Sequence, residues 1–182
     1  MVNVVGSTDV LAVCVDRPKP DLDMLTRGVG VGKRWMHVIT LAAAGSAIDW
    51  VQRTLFADLS TDDYRKLLAS IVKHPRRTKG SLPKFDSLLA GSRSSLDTIT
   101  ASLTGLTLGT SREDILAALL DDLAERGAAR VDRLTKTVKT VHHTVLSTGG
   151  GDGTLASIMR RDWRGRWKFR HEDEATLAGM WV

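Results

Sequence analysis

The stretch Ser147-Thr148-Gly149-Gly150-Gly151-Asp152-Gly153-Thr154 constrains this chain more than any other, because it joins an apolar run to a helix-like run through a turn with almost no side chains. Val141 to Leu146 read as a strand, and Leu155, Ile158 and Met159 repeat at helical spacing after the glycines. Glycines at such a junction tolerate positive φ and remove Cβ atoms, while the unpaired N–H groups that open the next helix favour an anionic or polar ligand. A nucleotide fits this turn. Simple chain reversal fits it too, since GGG matches neither the dinucleotide fingerprint nor the P-loop pattern.

Earlier in the chain, Val2 to Val5 and Val10 to Val15 read as two strands of a hairpin whose tip is Gly6-Ser7-Thr8-Asp9. That tip offers hydroxyls and tightly turned N–H groups for phosphate oxygens, and it equally suits an ordinary polar hairpin. Arg17 to Gly32, rich in proline, aspartate and glycine, reads as an exposed connection. Arg34 to Thr40 forms the next strand and runs through Ala44-Gly45-Ser46 into a helix carrying Ile48, Val51, Leu55 and Phe56. Gly45 admits either close helix packing or a phosphate near the backbone.

Ser60 or Thr61 caps a second helix with Asp62 and Asp63 in its first turn and an apolar face of Leu67, Leu68 and Ile71. From His74 to Thr110 periodicity is lost, which predicts a long irregular loop. A strong helix starts after Ser111, and Ala128, Val131 and Leu134 carry its apolar face past Gly127 to about Lys136. His142 and His143 fall in the following strand with no third ligand at metal spacing, so they read as ordinary strand residues. A last strand is expected at Trp167-Lys168-Phe169, and Glu174 to Trp181 reads as a closing helix with Ala175, Ala178 and Gly179 on one small-residue surface.

Composition bounds the class. A chain of 182 residues with 42% hydrophobic and 26% charged residues suits one globular domain. It has no apolar run of the roughly 18 residues a membrane helix needs. Met1 to Val5 carry no basic start or long apolar core, so a cytoplasmic location is the expectation. Cys14, the single cysteine, sits in an apolar run and reads as a buried small hydrophobe rather than a metal ligand. The net charge of +5 is dense at Lys73 to Lys79 and from Arg160 to Arg170. With aromatic residues at 5% and no nucleic-acid module spacing, a solvated or ATP-attracting basic face explains it better than nucleic acid.

The order of these motifs resembles the C-terminal, ATP-side domain of the FGGY family of carbohydrate kinases, which includes xylulose and glycerol kinases. Gly6-Ser7-Thr8 is similar to the family's Gly-Thr phosphate hairpin, and Arg34 to Trp50, through Ala44-Gly45, to its strand, Ala-Gly turn and helix ending in tryptophan. Gly105-Leu106-Thr107 with the helix after Ser111 resembles its Gly-Leu-Thr loop and helix. Thr148 to Gly151 and Glu174 to Gly179 resemble its adenosine loop and closing helix.

The resemblance implies an α/β domain of the actin-like ATPase, ribonuclease H-like kind, a mixed sheet flanked by helices, spanning residues 1–182 as one unit. It implies that ATP, with Mg2+, lies between this domain and a second one. Gly6, Ser7 and Thr8 would contact the terminal phosphates, Gly45 would border the phosphate path, and Gly149, Gly150, Gly151 and Thr154 would hold adenosine. The family's N-terminal domain binds the sugar and supplies the aspartate base just upstream of the hairpin, and here Met1 stands almost against that hairpin. Gly91-Ser92-Arg93 replaces the family's Gly-Glu-Arg, losing its acid. Asp9, Asp49 and Asp152 are the carboxylates nearest the implied ATP groups, and none stands at the base position. The expectation is therefore the ATP-binding half of a sugar or polyol kinase, inactive alone, with no catalytic residue of its own. A non-catalytic nucleotide-binding module, self-associating through the uncovered cleft face as a homo-oligomer, is the alternative.

Overall fold

A computed structural model describes residues 1–30, 32–73, 83–91, 98–138, 140, 142–149 and 153–173. The elements run β1 (Val2–Val5), β2 (Asp9–Val15), β3 (Leu25–Gly28), β4 (Trp35–Leu41), α1 (Gly45–Leu55), α2 (Thr61–Lys73), β5 (Lys84–Asp86), β6 (Ser102–Thr104), α3 (Arg112–Thr135), β7 (Thr144–Thr148), α4 (Gly153–Arg160) and β8 (Lys168–His171).

Six strands form one mixed sheet in the order β3-β4-β2-β1-β7-β8. β1 and β2 are joined by a tight hairpin and pair antiparallel, as β2 does with β4, whereas β7 lies parallel to β1 and β8 parallel to β7. The parallel pairings require crossovers, and helices supply them. β7 is reached from the antiparallel half through the helices, and α4 carries the chain from β7 to β8.

Helix α3 organises the interior. Ser111 and Asp114 close a capping box at its start, with Glu113 and Asp114 placed favourably in the first turn. Its first half buries Leu116, Leu119, Leu120 and Leu123 against Ala47, Val51, Phe56, Leu68, Ile158 and Met159. Its second half buries Val131 and Leu134 against Leu11, Ile39, Val145 and Trp163 on the sheet side. Each fully buried leucine of this kind contributes roughly 1.5–3 kcal/mol. Tyr64 on α2 closes the first cluster and donates its hydroxyl to the Ile48 carbonyl at 3.1 Å. Burial holds that phenol well above the usual tyrosine range, with Asp49 adding to the effect.

Several expectations are corrected. The segment from Arg17 to Gly32 contains a strand, β3, which extends β4 at the sheet edge. Residues 74–110 contain a two-stranded antiparallel sheet of β5 and β6, so the segment is not wholly irregular. His142 and His143 precede β7 rather than lying in it, and His143 stacks on Trp167 at 4.7 Å. Cys14 is half-buried. The continuation of α3 past Gly127 is borne out, since Gly127 is an interior position of that helix. The expected closing helix at 174–181 lies outside the described residues.

Candidate functional site

Two parallel neighbours, β1 and β7, end at the same edge of the sheet, with Val4 opposite Thr148. The crevice outside the carboxyl ends of parallel strands is where open α/β sheets take ligands. Here the hairpin tip follows β1 and the glycine turn follows β7.

The hairpin tip is fixed by α1. Gly6 O accepts the Gly45 N–H at 3.0 Å, and Ser7 O accepts the N–H groups of Ala44 at 2.9 Å and Ser46 at 3.2 Å. Ser46 Oγ also donates to Ser7 O, at 2.9 Å. The first donors of α1, which no side chain caps, are thus satisfied by the hairpin. A Cβ on Gly45 would stand 2.8 Å from Gly6 O. Glycine is what lets the two elements interlock, so the close-packing use of Gly45 is present in the fold.

This interlock sets the direction of the hairpin amides. The peptides of the described residues are trans, and a trans peptide points its N–H opposite its carbonyl. With Gly6 O and Ser7 O turned toward α1, the N–H groups of Ser7 and Thr8 point away from it. Neither takes part in the turn's own backbone bond, which runs from Gly6 N–H to Thr8 O at 2.9 Å. Ser7 is exposed and Thr8 partly so.

Across the edge, Gly149 has φ +114 and rests on the backbone of Val5, the residue before the hairpin tip. Gly153 and Thr154 open α4, with Gly153 exposed and Thr154 half-buried. The structure therefore brings Gly6, Ser7, Thr8 and Gly45 into one interlocked unit and sets Gly149 beside it. Gly150, Gly151 and Asp152 lie outside the described residues. Asp49 is exposed on α1.

Beneath this edge runs a buried polar chain that sequence reading missed. Asp9 is fully buried, accepts the Asn3 amide at 2.7 Å and is paired with the Arg130 guanidinium, which also donates to Asp9 O at 3.0 Å. Asn3 Oδ1 in turn accepts Arg160 Nε at 3.1 Å and Nη2 at 3.0 Å, and Arg160 Nη2 also donates to Ser147 Oγ. Asp9 is thus committed to a structural ion pair. Burial pushes Arg160 below the ordinary arginine range, with the Asp9 charge opposing, and an arginine remains cationic there. A signal existed: Asn3 interrupts an apolar strand, and Arg130 sits on the same face of α3 as Gly127 and Leu134.

Beside the chain, a cleft of about 780 Å³ opens between α4 and β8, lined among the described residues by Thr148, Gly149, Ser157, Arg160, Phe169 and His171, with others. Among the described residues no group of three or more His, Cys, Asp or Glu is placed to hold a metal ion, and no helix is long and apolar enough to cross a membrane.

No curated protein matches this chain in sequence. The family model described as the FGGY family of carbohydrate kinases, C-terminal domain, matches residues 1–160. Among solved structures, xylulose kinase from Rhodospirillum rubrum superposes with a TM-score of 0.75 at 17% identity, over 94% of this chain and 34% of that one. Gluconate kinase from Lactobacillus acidophilus gives 0.70 at 19% identity, over 99% and 37%. Plasmodium falciparum glycerol kinase with ADP gives 0.71 at 17% identity, over 98% and 36%. The chain spans about a third of the length of these structures, and at such identities they establish its fold, the actin-like, ribonuclease H-like α/β domain. By the match over residues 1–160, the chain belongs to the FGGY family of carbohydrate kinases, through that family's C-terminal domain.

Proposed function

We propose that this domain is the ATP-binding half of an ATP-dependent sugar or polyol kinase, and that it is inactive without a second domain to bind the acceptor and supply a base. The observation that carries this reading is the orientation of the hairpin: α1 claims the Gly6 and Ser7 carbonyls, so the Ser7 and Thr8 N–H groups face outward, where phosphate oxygens can accept them. Gly149, seated on the Val5 backbone, lines the open cleft at the neighbouring edge. The hairpin amides fit phosphate oxygens by donor type.

Phosphoryl transfer depends mainly on positioning and on stabilising charge, so a kinase half can act through backbone donors alone. ATP supplies the phosphoryl group, and Mg2+ enters with the nucleotide, held largely by its phosphates. The chain's own part is to hold the phosphates with the Ser7 and Thr8 amides, to orient the nucleoside along Gly149 to Thr154, and to keep the hairpin rigid through the α1 interlock. Residues Gly150 and Gly151 belong to the same proposed loop.

Calorimetric titration with magnesium-ATP and magnesium-ADP tests the binding role, and absence of heat at millimolar nucleotide overturns it. Sugar-dependent ATP consumption by the purified chain alone overturns the claim of inactivity.

A further inference from the structure

We infer that the cleft between α4 and β8 is a phosphate-recognition site in which Arg160 supplies the charge. Two arginines, Arg130 and Arg160, end in the buried polar chain, and among the described residues Asp9 is its one carboxylate. Asp9 is taken by Arg130. Arg160 gives its hydrogen bonds to neutral oxygens, those of Asn3 and Ser147, through Nε and Nη2. Its Nη1 makes none of these bonds and Asp9 acts on it only through space, so two N–H donors remain on a half-buried side chain that lines the cleft.

The side chain is held ready. Asn3 and Ser147 fix the guanidinium from the sheet, and the Phe169 ring lies under it at 4.3 Å, itself 43% exposed at the cleft. The guanidinium is therefore preorganised by three partners, so little rotamer entropy is lost when a ligand binds. The other cation on this wall, Arg161, is already engaged by Asp121 and Asp162. A cleft of about 780 Å³ falls within the size of small-molecule sites. A phosphate group bound here is either that of a nucleotide or that of another phosphorylated small molecule; both present the same oxygens to Nη1.

The inference does not depend on the ATP reading, and one experiment separates them. Pyrophosphate, ADP and adenosine are titrated calorimetrically into the whole chain and into Arg160→Gln, Arg160→Lys and Ser157→Glu. Ser157 is exposed on α4 one turn before Arg160, so glutamate there places a competing carboxylate in the cleft without disturbing the buried chain. Pyrophosphate is expected to bind, and Arg160→Gln and Ser157→Glu each to weaken it roughly tenfold or more, as loss of a charged hydrogen bond does, with Arg160→Lys recovering part. ADP that competes with pyrophosphate and weakens in parallel, where adenosine does not compete, identifies a nucleotide phosphate; competition by adenosine itself, or ADP that binds without competing, identifies another phosphorylated ligand. Pyrophosphate binding with no ADP binding sinks the ATP reading and leaves this one standing. Failure of pyrophosphate to bind, or equal binding to the native chain and to folded Ser157→Glu, overturns the inference.

Discussion

Gly149 lies directly on the backbone of Val5: a Cβ there would stand 3.0 Å from both the nitrogen and the carbonyl carbon of Val5, and closer still to its oxygen. With φ +114, the position is also one that residues with side chains rarely adopt. The first glycine of the turn is therefore required to seat β7 against the end of β1, whatever it does for a ligand. Gly149→Ala is expected to destabilise the domain by about 2 kcal/mol or more, because strain and a backbone clash add. Urea unfolding monitored by tryptophan fluorescence measures it, and an unchanged midpoint refutes the requirement.

Gly127 makes the same kind of demand inside α3. A Cβ would come 3.2 Å from the Met159 carbonyl carbon, closer to its oxygen, and 3.4 Å from Trp163 Nε1. Helix propensity alone favours alanine there by about 1 kcal/mol. The crossing with α4 reverses the sign, since overpacking of a fixed backbone costs about 1–3 kcal/mol. Gly127→Ala should therefore lower the urea midpoint. At exposed Ala129 in the same helix, substitution by glycine should cost about 1 kcal/mol, the ordinary propensity value. If Gly127→Ala proves stabilising, the α3–α4 contact is looser than described.

The glycines show why some of the fold was legible in the sequence and some was not. Strands β1, β2 and β4 and helices α1 to α4 carry their period in the chain itself, so Leu11, Ile39, Leu119 and Ile158 announce the core. Strands β3, β5 and β6 span only three or four residues, rich in exposed Thr, Arg, Lys and Ser, and leave no period to read. The packing of Gly45 on Gly6 O was not legible, because only the fold brings that partner near. The polar chain from Asn3 through Asp9 to Arg130 and Arg160 was hidden for the same reason: each member looks like an isolated polar residue until the sheet and two helices assemble it.

That chain predicts an asymmetry. Removing one partner of a buried ion pair costs about 3–5 kcal/mol because the other charge stays buried. Asp9→Leu leaves Arg130 and Arg160 with no carboxylate in the buried chain among the described residues, whereas Arg130→Met leaves Asp9 with the Asn3 amide and the attraction of Arg160. Asp9→Leu should therefore cost more than Arg130→Met, and the double variant should cost less than the sum. A double-mutant cycle by urea unfolding reads the coupling. Additive losses, or a larger loss for Arg130→Met, contradict the arrangement.

His37 predicts a pH dependence. It is wholly buried in β4, its Nε2 accepts the Lys19 N–H at 3.1 Å, and its Nδ1 has no partner among the described residues. An accepting Nε2 carries no proton, so the native ring is neutral with its hydrogen on Nδ1. Burial pushes this imidazole below its ordinary value of 6.5, the Lys19 charge pushes the same way, and Asp21 opposes them. Asp21 itself is held below the usual carboxylate range, first by the Asp23 N–H and then by Arg133, so it stays ionised through the window in which His37 titrates. The folded value lies below the unfolded one, so the native state binds fewer protons. The stability from neutral His37 is full above 6.5 and is lost as pH falls through the depressed folded value. Glutamine keeps an acceptor for the Lys19 N–H and does not titrate. The drop in urea midpoint between about pH 7.5 and about pH 5 should be smaller in His37→Gln than in the native chain. An equal drop in both would assign the acid sensitivity to other groups and remove His37 from the account.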